Sequence, residues 1–426
     1  MKRSIWNLLF LISAFGLAFM GAVLIWQEVM PEWAGVQREY NRRLAQVTGD
    51  RSKAWSLPSI KQIHLPEMKR TDRCITCHAG IDNPKMADQP QPFKTHPDLG
   101  IPGFREKHPF NEIGCTVCHH GQGPAVEKKH AHGPVPHWER PLLSKELIVG
   151  TCTTCHQNIG TLKGAERLQK GWALFKEKGC IGCHNLHGKG MLIGPELAEA
   201  YSKSSDQFDF KYIQGEETVA HWIQEHFRDP QKVVPGYPKL GVPETPMPDY
   251  GLTEEEVQTL TALVISFASE EENEESPVPA RFHVPGDRGG TFLAAEEMPR
   301  RGGDAADRGG TLLAAGSEPV YASKVEQGAA VFQKAGCVGC HGPQGRGGIR
   351  NPNMDQQEVP PLTHVSDGYS KEELKQIIRD GRYPARADRQ GLSPPLWMPS
   401  WKGKLSEEEI DAVVEYLVSL NPEPST

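Results

Sequence analysis

Apolar residues are unevenly spread along this chain. The longest apolar run stands near the start: after Lys2 and Arg3, residues Ile5 to Trp26 carry no charge. As a helix that run is about 33 Å long, enough to cross a hydrocarbon core of about 30 Å. Trp6 and Trp26 stand near its two ends, where interfacial aromatics sit. It exceeds the apolar region of a secretory signal and ends in "VLIWQEVMPEW" without a small-x-small cleavage site, so residues 1–27 read as a transmembrane anchor; a cleaved signal is the alternative. The positive-inside rule leaves the N-terminus cytoplasmic and the rest of the chain outside. Two later segments show helical periodicity. "LTEEEVQTLTALVISF" places Val257, Leu260, Val264 and Phe267 on one face, and "LSEEEIDAVVEYLVSL" does the same with Ile410, Val413, Val414, Leu417 and Leu420. Thr253 with Glu256, and Ser406 with Glu409, have capping-box spacing at their starts. Elsewhere the pattern is irregular, and residues 276–318 are a Pro/Gly/Arg-rich stretch repeating "DRGGT" at Asp287 and Asp307. That composition predicts a flexible linker.

The chain has 426 residues, which at about 150 per domain suggests two to four units. A net charge of −7 with no concentrated basic face excludes a nucleic-acid binder. Only 38% of residues are hydrophobic, so something besides a large apolar core must hold the domains together. The ten cysteines supply it. They form five pairs of one spacing: Cys74/Cys77, Cys115/Cys118, Cys152/Cys155, Cys180/Cys183 and Cys337/Cys340. Each pair is followed at once by a histidine: His78, His119, His156, His184 and His341. Cys-x-x-Cys-His is the attachment pattern of c-type haem. Two thioethers anchor the porphyrin, and the next imidazole is thereby held under the iron as proximal ligand. Disulfides would need no histidine after every pair. Structural zinc would leave the histidines unexplained, and five pairs do not divide into whole four-cysteine sites. The expectation is five covalently bound c-type haems on an exported chain.

The two single-motif segments, "GWALFKEKGCIGCH" and "GAAVFQKAGCVGCH", resemble each other, and both resemble class I cytochrome c. The resemblance implies that Gly171/Phe175 and Gly328/Phe332 lie on a helix that crosses the C-terminal helix of each domain. It also implies sixth ligands. "MPDY" at Met247 and "MPSW" at Met398 stand just before the C-terminal helices, so His184/Met247 and His341/Met398 are the implied axial pairs. The carbonyls of Pro195 and Pro360 would orient the proximal imidazoles. On the same reading His187, His221, His226 and His364 are surface or haem-edge residues.

Residues 71–160 carry three motifs and no Met-Pro, but six further histidines: His96, His108, His120, His130, His132 and His137. This resembles multihaem cytochromes c with bis-histidine irons, including membrane-anchored quinol-oxidising ones. Six candidates compete for three places. His96 and His108 each precede a proline that stiffens its loop. His132 precedes Gly133, where the backbone can approach a porphyrin, with His137 next. These favour His96, His108 and His132. His120, adjacent to a proximal ligand, has its own haem on the wrong side. It can serve a neighbouring haem, sit at a haem edge, or leave a distal position open.

The expected fold is mainly α with much irregular structure. It runs as an anchor over 1–27, a stalk over 28–70, a haem-packed triheme domain over 71–160, class I domains over 161–275 and 319–426, and the linker between them. The expected function is that of a single-pass protein of a bacterial cytoplasmic membrane, its haem domains on the periplasmic side. Electrons would pass from a quinol-oxidising complex of cytochrome b type, through five haems, to a soluble or membrane-bound acceptor. Met/His ligation raises potential relative to bis-His, so such a chain runs downhill away from the membrane. The linker would let the last domain swing as a tethered shuttle. The alternative is a multihaem enzyme with one open iron acting on a small nitrogen, sulfur or peroxide substrate.

Overall fold

The computed structural model describes residues 2–29, 31–136, 138–156, 160–186, 189–190, 194–230, 232–233, 247–268, 321–351, 354, 357–383 and 397–422. The 276–318 stretch, His137 and His187 therefore lie outside the described residues. The chain divides into two units, Met1–Leu142 and Leu143–Thr426. Secondary structure is mainly helical. Among the described residues only two short antiparallel pairs occur, β1 (Ile63–Leu65) with β2 (Arg70–Asp72), and β3 (Asn185–Leu186) with β4 (Lys189–Gly190).

The first unit opens with α1 (Lys2–Val29). Its Ile5–Ile25 portion, of mean hydropathy 2.6, is long and apolar enough to cross a membrane, and is left uncovered by the described residues. Next comes α2 (Glu32–Thr48), whose buried residues Ala34, Gln37, Tyr40, Asn41 and Ala45 recur at helical spacing. Tyr40 packs with Met86 and Phe93. The Gln37 side chain acts as a polar peg: Nε2 donates to the Ser59 carbonyl at 2.7 Å and the Thr76 carbonyl at 2.8 Å, and Oε1 accepts from Ser59 N–H at 2.9 Å. Thr76 lies inside the first haem motif, so the expected stalk is instead packed against that motif. The end of β2 does the same for the second motif. Buried Asp72 accepts from the backbone N–H groups of Cys115 (2.6 Å) and Thr116 (2.9 Å) and from the Thr116 hydroxyl (2.7 Å). A carboxylate out of water requires such donors, and here they tie the residue preceding one motif to the start of the next.

The second unit contains α3 (Glu166–Glu177), α4 (Val219–Arg228), α5 (Glu254–Ala268), α6 (Lys324–Lys334), α7 (Lys371–Asp380) and α8 (Glu407–Ser419). The helices form two crossings. At α3/α5 a Cβ on Gly171 would stand 3.1 Å from the Thr259 carbonyl oxygen; at α6/α8 a Cβ on Gly328 would overlap the Ala412 carbonyl. Glycine lets the backbones approach, and aromatics close the crossing: Phe175 against Phe267 at 5.8 Å, Phe332 against Tyr416 at 5.5 Å. Both capping boxes are formed, through Thr253/Glu256 and Ser406/Glu409. A third, Ser370/Glu373, starts α7.

Packing divides the 71–160 segment differently from the sequence expectation. The 3₁₀ segment Ile148–Thr154, which carries the third motif, belongs to the second unit. Thr153 Oγ1 donates to the Ser266 carbonyl at 2.8 Å, and Gly150 lies against Ala262 and Ile265 of α5. Leu143 and Leu147 share one core with Leu168, Trp222 and Ile265. The third motif is thus built onto the back of the α3/α5 crossing.

Candidate haem-binding sites

Every Cys-x-x-Cys-His motif is a single tight turn. In each, the histidine N–H donates to the carbonyl of the first cysteine, at 2.8 Å (His78), 3.0 Å (His119), 2.9 Å (His156), 3.0 Å (His184) and 3.0 Å (His341). The second cysteine donates to the same carbonyl, at 3.1 Å (Cys77), 3.3 Å (Cys118), 3.2 Å (Cys155), 3.1 Å (Cys183) and 3.3 Å (Cys340). All ten cysteines are half-buried and none is in a disulfide. The turn presents both sulfurs and the imidazole together. Burial, the main cause in each case, holds His78 and His184 below their ordinary pKa and lowers His119 and His341 to about 4. The rings are therefore neutral at neutral pH, as metal ligands must be.

In the first unit the proximal rings face spare histidines. The His78 and His132 ring centroids are 6.0 Å apart; those of His119 and His96 are 6.1 Å apart. Two imidazoles each about 2 Å from one metal give a centroid spacing of about this size. His96 Nδ1 lies 2.8 Å from the Pro97 carbonyl oxygen, which leaves Nε2 as the bare nitrogen. His108 stacks on Phe104 at 4.4 Å with Nδ1 on the Phe104 carbonyl. His130 is an exposed partner of Glu127. His120 is buried with a left-handed φ of +56°, and burial together with the Arg140 and Arg70 charges lowers it to about 3.

The second motif keeps the Cys-x-x-Cys-His turn and lies against the first. Cys115 pairs with Cys118 in sequence, and its sulfur also lies beside that of Cys74, in the first motif. Cys118 lies on the one-turn helix Thr116–His119, directly before the His119 ring, and its N–H donates to the Cys115 carbonyl. Its position suits a second attachment sulfur, while Cys115 is the one that meets the neighbouring motif. The Cys74 and Cys115 thiols would be thioethers in a haem-bearing chain, and their closeness sets the two motifs side by side.

The fourth motif opens into a pocket lined by Cys180, Cys183, His184 and Met247 with Phe175, Leu260 and other apolar side chains. Attachment sulfurs, proximal imidazole and thioether thus converge on one apolar space, and the residues present fit a covalently held haem. His184 Nδ1 meets the Pro195 carbonyl at 3.0 Å, and a Cβ on Gly194 would press on the His184 ring at 2.6 Å. The carbonyl fixes ring and tautomer. In the fifth site the expected counterpart is missing: His341 Nδ1 is buried with no hydrogen-bond partner among the described residues, so Pro360 does not play the role of Pro195. Met398 exchanges both backbone hydrogen bonds with Arg382 and packs in one cluster with Cys337, Phe332 and Val414.

His221 and His364 are solvent-side partners of Glu225 and Asp367, as expected. His226 is not a surface residue. It stacks on Trp222 at 5.1 Å, and its Nε2 is 3.1 Å from Met247 Sδ. Burial is the main reason that it titrates at about 4. A sequence signal existed: Val219, Trp222 and His226 follow the i, i+3, i+7 face of α4, whereas His221 falls off it.

The fourth and fifth motifs meet through glycines. A Cβ on Gly182 would overlap the Gly336 carbonyl, and one on Gly339 would lie 2.5 Å from the Gly179 carbonyl oxygen. The Cys183 and Cys340 sulfurs are neighbours, Tyr250 Oη reaches the Gly339 carbonyl at 3.4 Å, and Arg350 pairs with Asp249 at 3.4 Å. The last repeat is docked, loop on loop, against the one before it.

Comparison with known proteins agrees with this geometry. The cytochrome c family matches residues 168–267 and 325–421, the two helix crossings with their motifs and Met-Pro loops. Cytochrome c-551 of Stutzerimonas stutzeri is 33% identical over 98 residues, which is 23% of this chain and 77% of that protein. The chain belongs to the cytochrome c family. It is a c-type cytochrome whose cytochrome c domains carry covalently bound haem c and transfer electrons. No solved structure matches it.

Proposed function

We propose that this cytochrome is a membrane-anchored electron conduit with five haems, at Cys74/Cys77, Cys115/Cys118, Cys152/Cys155, Cys180/Cys183 and Cys337/Cys340, with His78, His119, His156, His184 and His341 as proximal ligands. The observation that carries the reading is the contact between motifs: Cys74 with Cys115, and Cys183 with Cys340 across glycines. Bound haem supplies the one-electron chemistry. The chain sets the direction and spacing of that transfer. His132 and His96 face His78 and His119 and act as distal ligands there, whereas Met247 and Met398 serve the two cytochrome c repeats. Histidine pairs give lower potentials than His/Met pairs, so electrons run from the first unit toward the last repeat. No iron is assigned to His108.

The apolar Ile5–Ile25 helix supports a membrane anchor, with a quinol-oxidising complex of cytochrome b type as donor and a periplasmic or membrane-bound acceptor. The test uses washed membranes and the purified full-length protein. Mass should show five haems, the protein should resist salt extraction, and a quinol should reduce all five haems in a manner blocked by a cytochrome b inhibitor. Oxidised protein should be low-spin throughout. A high-spin iron reactive with nitrite or peroxide would overturn the conduit in favour of an enzyme.

A further inference from the structure

Beside the fourth haem cavity, against its Met247, stands one group that the cytochrome c pattern leaves unexplained. His226 stands on the last turn of α4, with Nδ1 2.5 Å from the Val233 carbonyl oxygen and Nε2 3.1 Å from Met247 Sδ. A carbonyl only accepts, so Nδ1 carries the proton; a neutral imidazole has one, which leaves Nε2 as a bare lone pair. A thioether has no proton to offer in return. The ring is stacked on Trp222 at 5.1 Å, which fixes its plane with Nε2 toward the Met247 sulfur. Two acceptors therefore face one another with no proton between them. That contact is unfavourable by itself, but it suits two ligands aimed at one metal position.

The surroundings support this. An Nδ1–H held by a backbone carbonyl is the usual support of a ligating histidine, and in this domain it occurs twice: His184 on Pro195 and His226 on Val233. Met247 shares the cavity with His184, so His226 Nε2 reaches the distal side through the sulfur that it touches.

We propose that His226 is a second distal ligand of the fourth haem, bound in the ferric protein and replaced by Met247 on reduction. The proposal rests on the reading that Cys180 and Cys183 carry a haem. Imidazole nitrogen is the harder donor and suits the ferric state; the thioether is softer and suits the ferrous one. One coordinate bond is exchanged for another, and the electron comes from the neighbouring haems or, in the test below, from dithionite. The fourth haem then has a lower potential when oxidised than when reduced, so it accepts an electron reluctantly and holds it once Met247 binds.

The experiment is near-infrared magnetic circular dichroism, with electron paramagnetic resonance, on the full-length holoprotein, which counts ferric His/Met irons through the thioether charge-transfer band. His226→Gln should gain one His/Met signal relative to wild type, and Met247→Leu should leave the ferric spectrum unchanged while lowering one reduction potential. The proposal is overturned if His226→Gln has the wild-type ferric spectrum, or if Met247→Leu loses a ferric His/Met signal. Should His226→Gln not fold, the Met247→Leu result decides alone. Failure of the haem reading would look different: tryptic mass would show Cys180 and Cys183 unmodified.

Discussion

The two cytochrome c repeats share a family pattern and differ in how each holds its iron ligands. In the first, Pro195 fixes the proximal His184 and the distal loop is contested by His226 and Met247. In the second, His341 Nδ1 has no partner among the described residues, and Met398 is clamped through its backbone to Arg382. One repeat holds its motif histidine through a carbonyl, and the other holds its methionine through the backbone. The lesson is that matching motifs specify the haem, while the groups one shell out set what that haem does. The same holds for the crossings, where Gly328 is far more tightly enclosed than Gly171.

The sharpest way to break the pairing of the repeats is Gly182→Val. Its side chain has no room beside the Gly336 carbonyl, and overpacking of this kind costs about 1–3 kcal/mol or more. The repeats should separate, read as a larger hydrodynamic radius and as faster proteolysis between residues 269 and 320. Next, Gly328→Ala should destabilise its repeat by about 3 kcal/mol, since backbone would have to move. Gly171→Ala, with its Cβ 3.1 Å from the Thr259 oxygen, should cost about 1 kcal/mol; thermal melts of the holoprotein compare the two. A smaller effect concerns potential. A hydrogen bond of about 1 kcal/mol to His184 makes the imidazole the stronger donor, which for one electron is about 40 mV. The fifth haem should therefore titrate at least about 40 mV above the fourth in a resolved redox titration. Smallest, Asp249→Asn removes the exposed pair with Arg350 and should shift the melt by no more than about 0.5 kcal/mol.

Much of this is legible in the chain because it depends on local spacing. Five Cys-x-x-Cys-His turns, the α5 and α8 faces with their caps, the glycines at the crossings and the Met-Pro loops all depend on residues a few positions apart. What escapes depends on contacts far apart in sequence. Nothing local says that Thr153 bonds Ser266, so spacing alone groups the third motif with the first two. Spacing likewise couples Cys115 to Cys118 and is silent on its contact with Cys74. The glycines of "KGCIGCH" and "AGCVGCH" are visible, but not that they face one another. Gln37 reads as an ordinary stalk residue until Thr76 is placed beside it. His226 has no distinguishing neighbour in the sequence, although the periodicity of α4 turns it inward.

The central claim is that electrons cross directly between the fourth and fifth haems where Cys183 meets Cys340. Flash reduction of the purified protein, followed by the redistribution of the electron between these two haems, tests it. The account predicts a rate independent of protein concentration and slowed in Gly182→Val. Redistribution that scales with protein concentration, or that is unchanged in Gly182→Val once its repeats have separated, would contradict it.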